Sequence, residues 1–292
     1  MSWPNTIRLD ACASILLGAQ LMAQPRSATG ARPWTIGVAA QTDDESSRGE
    51  SLSFGIGLAE KTWLSLFAAS TSSPVERADV SADTFVVALD RRFEAVGFTL
   101  EAEQWGDSGA VESIDLSGSA YWQNDRLRLE IGIEQRDIDI TLTPALLNDR
   151  FRSRKVPLSA DGRWFALRAS VTDRVDLLYE YQTNDYSRNL AVVPRVDALN
   201  LLSTSTLTLA NSFVSEIQSV GIEISIGEKL LSLSADKDRS AVDRTSLTSI
   251  GAAIILPVAN RVDLEFSLGR SDSDLFNAGS YAGIAFMFYG GA

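Results

Sequence analysis

Histidine is absent from this chain and cysteine occurs once. Without histidine the commonest general base and the usual zinc ligand are missing, and with them every Ser-His or Cys-His nucleophile pair. A single cysteine excludes an intrachain disulfide framework and any multi-cysteine zinc or iron–sulfur site. No apolar run reaches the roughly 18 residues of a spanning helix. Positive charge is scarce: 26 Lys and Arg stand against 38 Asp and Glu, a net charge of −12, which opposes the phosphate attraction that nucleic-acid binding draws on. These absences argue against most enzymes, against a metal or cofactor site and against a nucleic-acid partner. What is present is 292 residues, 45% of them apolar, which excludes a disordered chain.

Residues 1–23 read as a cleaved export signal, with Arg8 ahead of the short apolar stretch from Ala11 to Ala23, and the Pro/Ser/Gly-rich segment over 24–33 reads as a periplasmic lead-in. The bland alternative is a frayed surface helix. Cys12 follows Leu9-Asp10-Ala11, but the apolar region comes after this cysteine, the reverse of the order in a lipoprotein signal.

From Trp34 onward apolar residues recur at every second position, the mark of a strand with two unlike faces. Leu127, Leu129, Ile131 and Ile133 alternate with Arg128, Glu130, Gly132 and Glu134; Val262, Leu264, Phe266 and Leu268 show the same period. Fourteen such segments start near Trp34, Glu50, Thr62, Asp83, Ala95, Glu112, Arg126, Gly162, Arg174, Phe213, Lys229, Ser246, Arg261 and Tyr281. Most run about nine to twelve residues, long for a soluble strand and right for crossing a bilayer at a tilt. Tight turns at 60–61, 92–94, 123–125, 172–173, 227–228 and 257–260 alternate with longer polar connections, the largest around 143–161 and 187–212. A soluble sandwich has no reason to sort its connections by length in this way. The pattern predicts an all-β fold, a closed antiparallel transmembrane β-barrel of about 14 strands over 34–292, with short periplasmic turns and long extracellular loops.

In this rhythm and in its last strand the chain resembles a Gram-negative outer-membrane β-barrel of the porin-like superfamily. Ala282, Ile284, Phe286 and Phe288 look like that superfamily's terminal assembly signal, although Tyr289 to Ala292 follow where the family usually stops. The resemblance implies the outer membrane as location, and as partners membrane lipid, lipopolysaccharide and the outer-membrane assembly machinery. The barrel enzymes of that class rely on histidine, which this chain cannot supply. Trp34, Trp63, Trp122, Tyr179, Tyr181 and Phe288 are candidates for the aromatic belts at the membrane surfaces.

The inward phase would carry Asp90, Glu101, Glu103, Asp115, Glu130, Glu134, Asp176, Glu180, Glu223, Asp263 and Glu265 against Arg126, Arg128 and Arg168. Acidic linings favour cations, so the expected function is passage of small hydrophilic solutes with a modest cation preference. The opposing reading is that these charges pair across the lumen and close it. Rival functions are an export barrel for a polymer such as a polysaccharide, served by a separate periplasmic partner, a closed structural or adhesive barrel, and a soluble secreted sandwich. Glu101 and Glu103 have a spacing that suits an inverting glycosidase, yet period-two glutamates are what any wet strand face produces. Gly55 to Thr62 brushes against a phosphate loop, but Glu60 stands where that motif needs glycine.

Arg150, Arg152, Arg154 and Lys155 form the one basic cluster. On an external loop they would meet lipopolysaccharide phosphates or gather anionic solutes, or simply be solvated. The stretch 187–212 is unusually apolar for a loop and is expected to pack into the mouth or to extend a strand, with Pro194 against a continuous central strand.

Overall fold

A computed structural model describes residues 32–44, 46–75, 78–107, 111–142, 154–187, 213–241, 244–273 and 278–291. Fourteen antiparallel strands close into one barrel, each paired with its sequence neighbours and β1 with β14. They are β1 (Trp34–Asp43), β2 (Arg48–Ala59), β3 (Thr62–Val75), β4 (Ala78–Phe93), β5 (Val96–Asp107), β6 (Val111–Gln123), β7 (Leu127–Leu142), β8 (Arg154–Thr172), β9 (Val175–Tyr186), β10 (Val214–Ile226), β11 (Lys229–Ser240), β12 (Ser246–Ala259), β13 (Val262–Ser273) and β14 (Gly279–Gly290). Closure pairs the backbone polar groups that an open edge would leave bare, the condition for a sheet to exist in hydrocarbon.

The two-residue period sets the faces. On β6, Val111, Ser113 and Asp115 are buried inside while Ile114 and Leu116 stand exposed outside. Ile131 and Ile133 on β7 are each 68% exposed, and Leu52, Leu100, Val220, Ile250 and Leu268 continue the apolar skin around the ring. An apolar surface of this extent is stable against lipid and not against water, so the barrel spans a bilayer.

Six connections of two or three residues gather at one end, at 60–61, 94–95, 124–126, 173–174, 227–228 and 260–261. Local chemistry makes them. Asn124 Oδ1 accepts from the amides of Arg126 and Leu127, both at 2.8 Å, and Gly227 takes a φ of 64° that a side chain would resist.

The other end differs from the sequence expectation. β3 and β4 are joined through 76–77 alone, with their ladder running on through Pro74 opposite Asp79 to Val75 opposite Ala78. β8 begins at Arg154 rather than near Gly162, and carries Pro157 opposite Asp139. Beyond the apolar band water lies outside the strand, so the hydropathy alternation fades while the ladder continues. Arg154 and Lys155 are therefore strand residues, not loop residues. Lys155 projects from the outer face between Glu112 (3.9 Å) and Asp139 (3.8 Å), away from the lumen. Arg150 and Arg152 lie outside the described residues, as does the 188–212 stretch with Pro194.

Candidate permeation pathway

The inner surface has two unlike walls. From β4 to β10 it is filled by large side chains in three tiers. Nearest the short turns, Tyr121 donates to Asp90 (3.3 Å) and lies under the Arg128 guanidinium, 3.7 Å from the ring centre. Arg128 donates in turn to Glu130 at 2.8 Å, which also accepts from Ser119 at 2.6 Å. Beside them Arg168 holds Asp176 and, at 2.8 Å, Glu223. In the middle tier Arg136 pairs with Glu134 (3.0 Å) and Asp115 (3.4 Å), with Glu103 next to Asp115 on the ladder. Gln182, wholly buried, donates to Glu134 and to Asn184, both at 2.8 Å. Toward the long-loop end Trp105, Val111, Ile138, Ile140, Leu158 and Phe213 form an apolar cluster within the barrel. Phe213 immediately follows the 188–212 stretch.

From β11 round to β3 the inward positions are mostly small. They include Ser232 and Ser234 on β11, Gly251 and Ala253 on β12, Ser267 and Gly269 on β13, Gly283 and Ala285 on β14, Gly37 and Ala39 on β1, and Ser53 and Gly55 on β2, with registers that set them side by side. Inward aromatics lie over glycines of neighbouring strands: Trp63 over Gly55, Tyr121 over Gly97, Trp164 over Gly132 and Tyr281 over Gly269, so that a Cβ at any of these glycines would meet a ring. A ring laid over a glycine covers backbone that no side chain of its own protects.

Solved structures with a similar outline include an outer-membrane protein of Vibrio cholerae, OmpT with loop L8 deleted (8% identity, TM-score 0.48, 89% of this chain and 98% of that one). Others are Pseudomonas putida OprB (10%, 0.47, 89% and 93%) and the KdgM porin in complex with disordered oligogalacturonate (8%, 0.44, 87% and 98%). No family model and no curated protein matches the chain. At such identities and scores these likenesses decide nothing about a solute. The closed ring, its apolar skin and the six tight turns at one end are this chain's own features. Its architecture is that of a closed transmembrane β-barrel.

Within this barrel the acidic residues picked out by period fall as follows. Glu103, Asp115, Glu130, Glu134, Glu180, Glu223 and Glu265 are buried, and Asp90, Glu101, Asp176 and Asp263 are partly so. Asp263 accepts from the Tyr289 hydroxyl at 2.8 Å. Arg128 and Arg168 are interior neighbours on the β7–β8 ladder. Arg126 is not interior: it lies exposed in the turn before β7, because the inward phase of that strand starts at Arg128. Trp63 likewise faces the lumen rather than lipid, whereas Trp122 and Phe288 stand outside and Tyr179 and Tyr181 pack on the exposed Phe165 ring. Ala282, Ile284, Phe286 and Phe288 lie on β14's outward face, paired with Thr42, Ala40, Val38 and Ile36, and the pairing continues through Tyr289 and Gly290. Sequence reasoning missed Arg136, Gln182 and Asn184. The signal for Arg136 was its phase with Glu130 and Glu134.

Proposed function

We propose that this protein is a channel of the Gram-negative outer membrane for small hydrophilic solutes, with a modest preference for cations. The observation that carries the reading is the inequality of the inner walls. A half-ring of Gly, Ala and Ser from β11 to β3 faces a half-ring braced by large charged side chains, a division that serves to leave a narrow polar track along the thin wall. The cation preference is supported by the interior charge count, in which acidic residues outnumber Arg128, Arg136 and Arg168. Membrane lipid and lipopolysaccharide against the apolar skin, and the assembly machinery at β14, are the partners this reading implies.

The test is conductance and reversal potential of the refolded protein in planar bilayers under a KCl gradient, with liposome swelling across sugars, amino acids and organic ions. Cation-selective conductance supports the channel; anion selectivity counts against its preference. Absence of conductance in every preparation favours the second reading, a closed barrel acting through its outer loops, which the burial of Gln182, Arg136 and Glu134 in mid-lumen supports.

A further inference from the structure

Three interior arginines among the described residues are ion-paired on one side of the barrel. Arg128 is bound to Glu130, Arg136 to Glu134 and Asp115, and Arg168 to Asp176 and Glu223. A cation passing Glu130, Asp115, Glu134, Asp176 or Glu223 meets a carboxylate already neutralised at close range.

Glu265 stands elsewhere and differently. It lies on β13, in the thin wall, opposite Ile255 of β12 and Ala285 of β14. Its same-face neighbours along the strand are Asp263 and Ser267, so no basic residue adjoins it on the ladder. The residue is 2% exposed, and neither carboxylate oxygen has a hydrogen-bond partner. Asp263 is already engaged by Tyr289. A carboxylate buried without a donor is among the least stable arrangements a protein holds, and either a proton or a bound cation relieves it.

We propose that Glu265 is a docking point inside the lumen for a monovalent cationic group, an alkali ion or the ammonium of a small solute. This rests on the channel reading above. Apart from Ile255, its neighbours on the ladder, Ala285, Ala253 and Ser267, are small, and the lack of a neighbouring arginine gives a bound cation the whole interaction. A single carboxylate makes no dedicated cage for a divalent ion. Hard divalent cations take six or more oxygens or keep several waters around one or two carboxylates, and no group of three or more acidic, histidine or cysteine side chains suited to a metal occurs among the described residues.

The experiment compares the wild type with Glu265→Gln, and with Glu265→Asp, which keeps the charge. Folding is checked by heat-modifiable gel migration. Thermal unfolding is measured at constant ionic strength in potassium, methylammonium or the bulky tetrabutylammonium. The expected result is a higher midpoint in one or both small cations for the wild type and Glu265→Asp, with no such dependence in Glu265→Gln. Potassium against methylammonium tells an ion from an amine. In bilayers the potassium-over-chloride permeability ratio should fall at least about fivefold in Glu265→Gln, since one unit charge about 4 Å away in water changes the potassium term alone by that factor, and be retained in Glu265→Asp. Equal cation dependence in wild type and Glu265→Gln, or an unchanged permeability ratio in a conducting Glu265→Gln, overturns the site. Should Glu265→Gln fail to fold, a wild type stabilised no better by small cations than by bulky ones overturns it equally. A wild type that never conducts defeats the channel reading alone, while cation-dependent stability lost in Glu265→Gln upholds the site.

Discussion

Arg136→Met is the sharpest perturbation of the braced wall. The guanidinium is 3% exposed and its partners Asp115 and Glu134 are 3% and 1% exposed at their side chains, with contacts of 3.4 and 3.0 Å. Removing one member of a buried pair costs about 3–5 kcal/mol, because the opposite charge is left buried and alone. Here two carboxylates lose their cation with Glu103 adjacent, which pushes toward the top of that range. Gln182 still donates to Glu134 at 2.8 Å and Trp105 to Asp115 at 3.3 Å, which pulls back. The expected loss is about 4 kcal/mol. The assay is urea unfolding of the barrel in phospholipid vesicles, followed by tryptophan fluorescence; Trp105 bonds to the cluster itself and so reports on it. Removing charge of both signs, with Asp115→Asn, Glu134→Gln and Arg136→Met together, should recover most of the loss. A cost below about 1 kcal/mol for Arg136→Met, the level of an exposed ion pair, would refute the argument by showing that the cluster is wet.

Two further predictions address the skin and the glycine contacts. Ile133→Lys, at a side chain 68% exposed on the outer face, should cost roughly 2–4 kcal/mol near the bilayer midplane, read by the same urea titration; a neutral result would mean that this face does not meet lipid. Gly97→Ala places a methyl against the Tyr121 ring, loosening its bond to Asp90 and its stack under Arg128, for a loss of about 1–3 kcal/mol. Gly118→Ala, whose added Cβ would have Leu100 as its nearest neighbour at an ordinary 3.5 Å, should be close to neutral in the same assay.

Strand number, hairpin order and the facing of most acidic residues were legible from a period of two, because lipid outside and polar groups inside impose unlike chemistry on alternate residues. The outer limits of β3, β4 and β8 were not. Around Pro74, Asp79 and Pro157 there is no apolar contrast left to read, although the backbone ladder goes on. Arg136 was visible in phase but not in importance: what makes it central is Asp115 directly across the β6–β7 ladder, a fact of register that depends on the turn at 124–126. The bare state of Glu265 was equally hidden, since it depends on Ile255 and Ala285 occupying the two flanking positions.

The seam at which the cylinder shuts falls in its plain half. Where β1 meets β14, the inward partners are Gly37 with Met287, Ala39 with Ala285 and Gln41 with Gly283, so the last hairpin zips home without having to strip water from any arginine or match it to an acid. Docking the final strand is then chiefly a matter of backbone ladder and grease, while the ionic scaffolding on the far side is assembled between consecutive hairpins and can be complete beforehand. A barrel laid out this way keeps its interior ion pairs away from its seam.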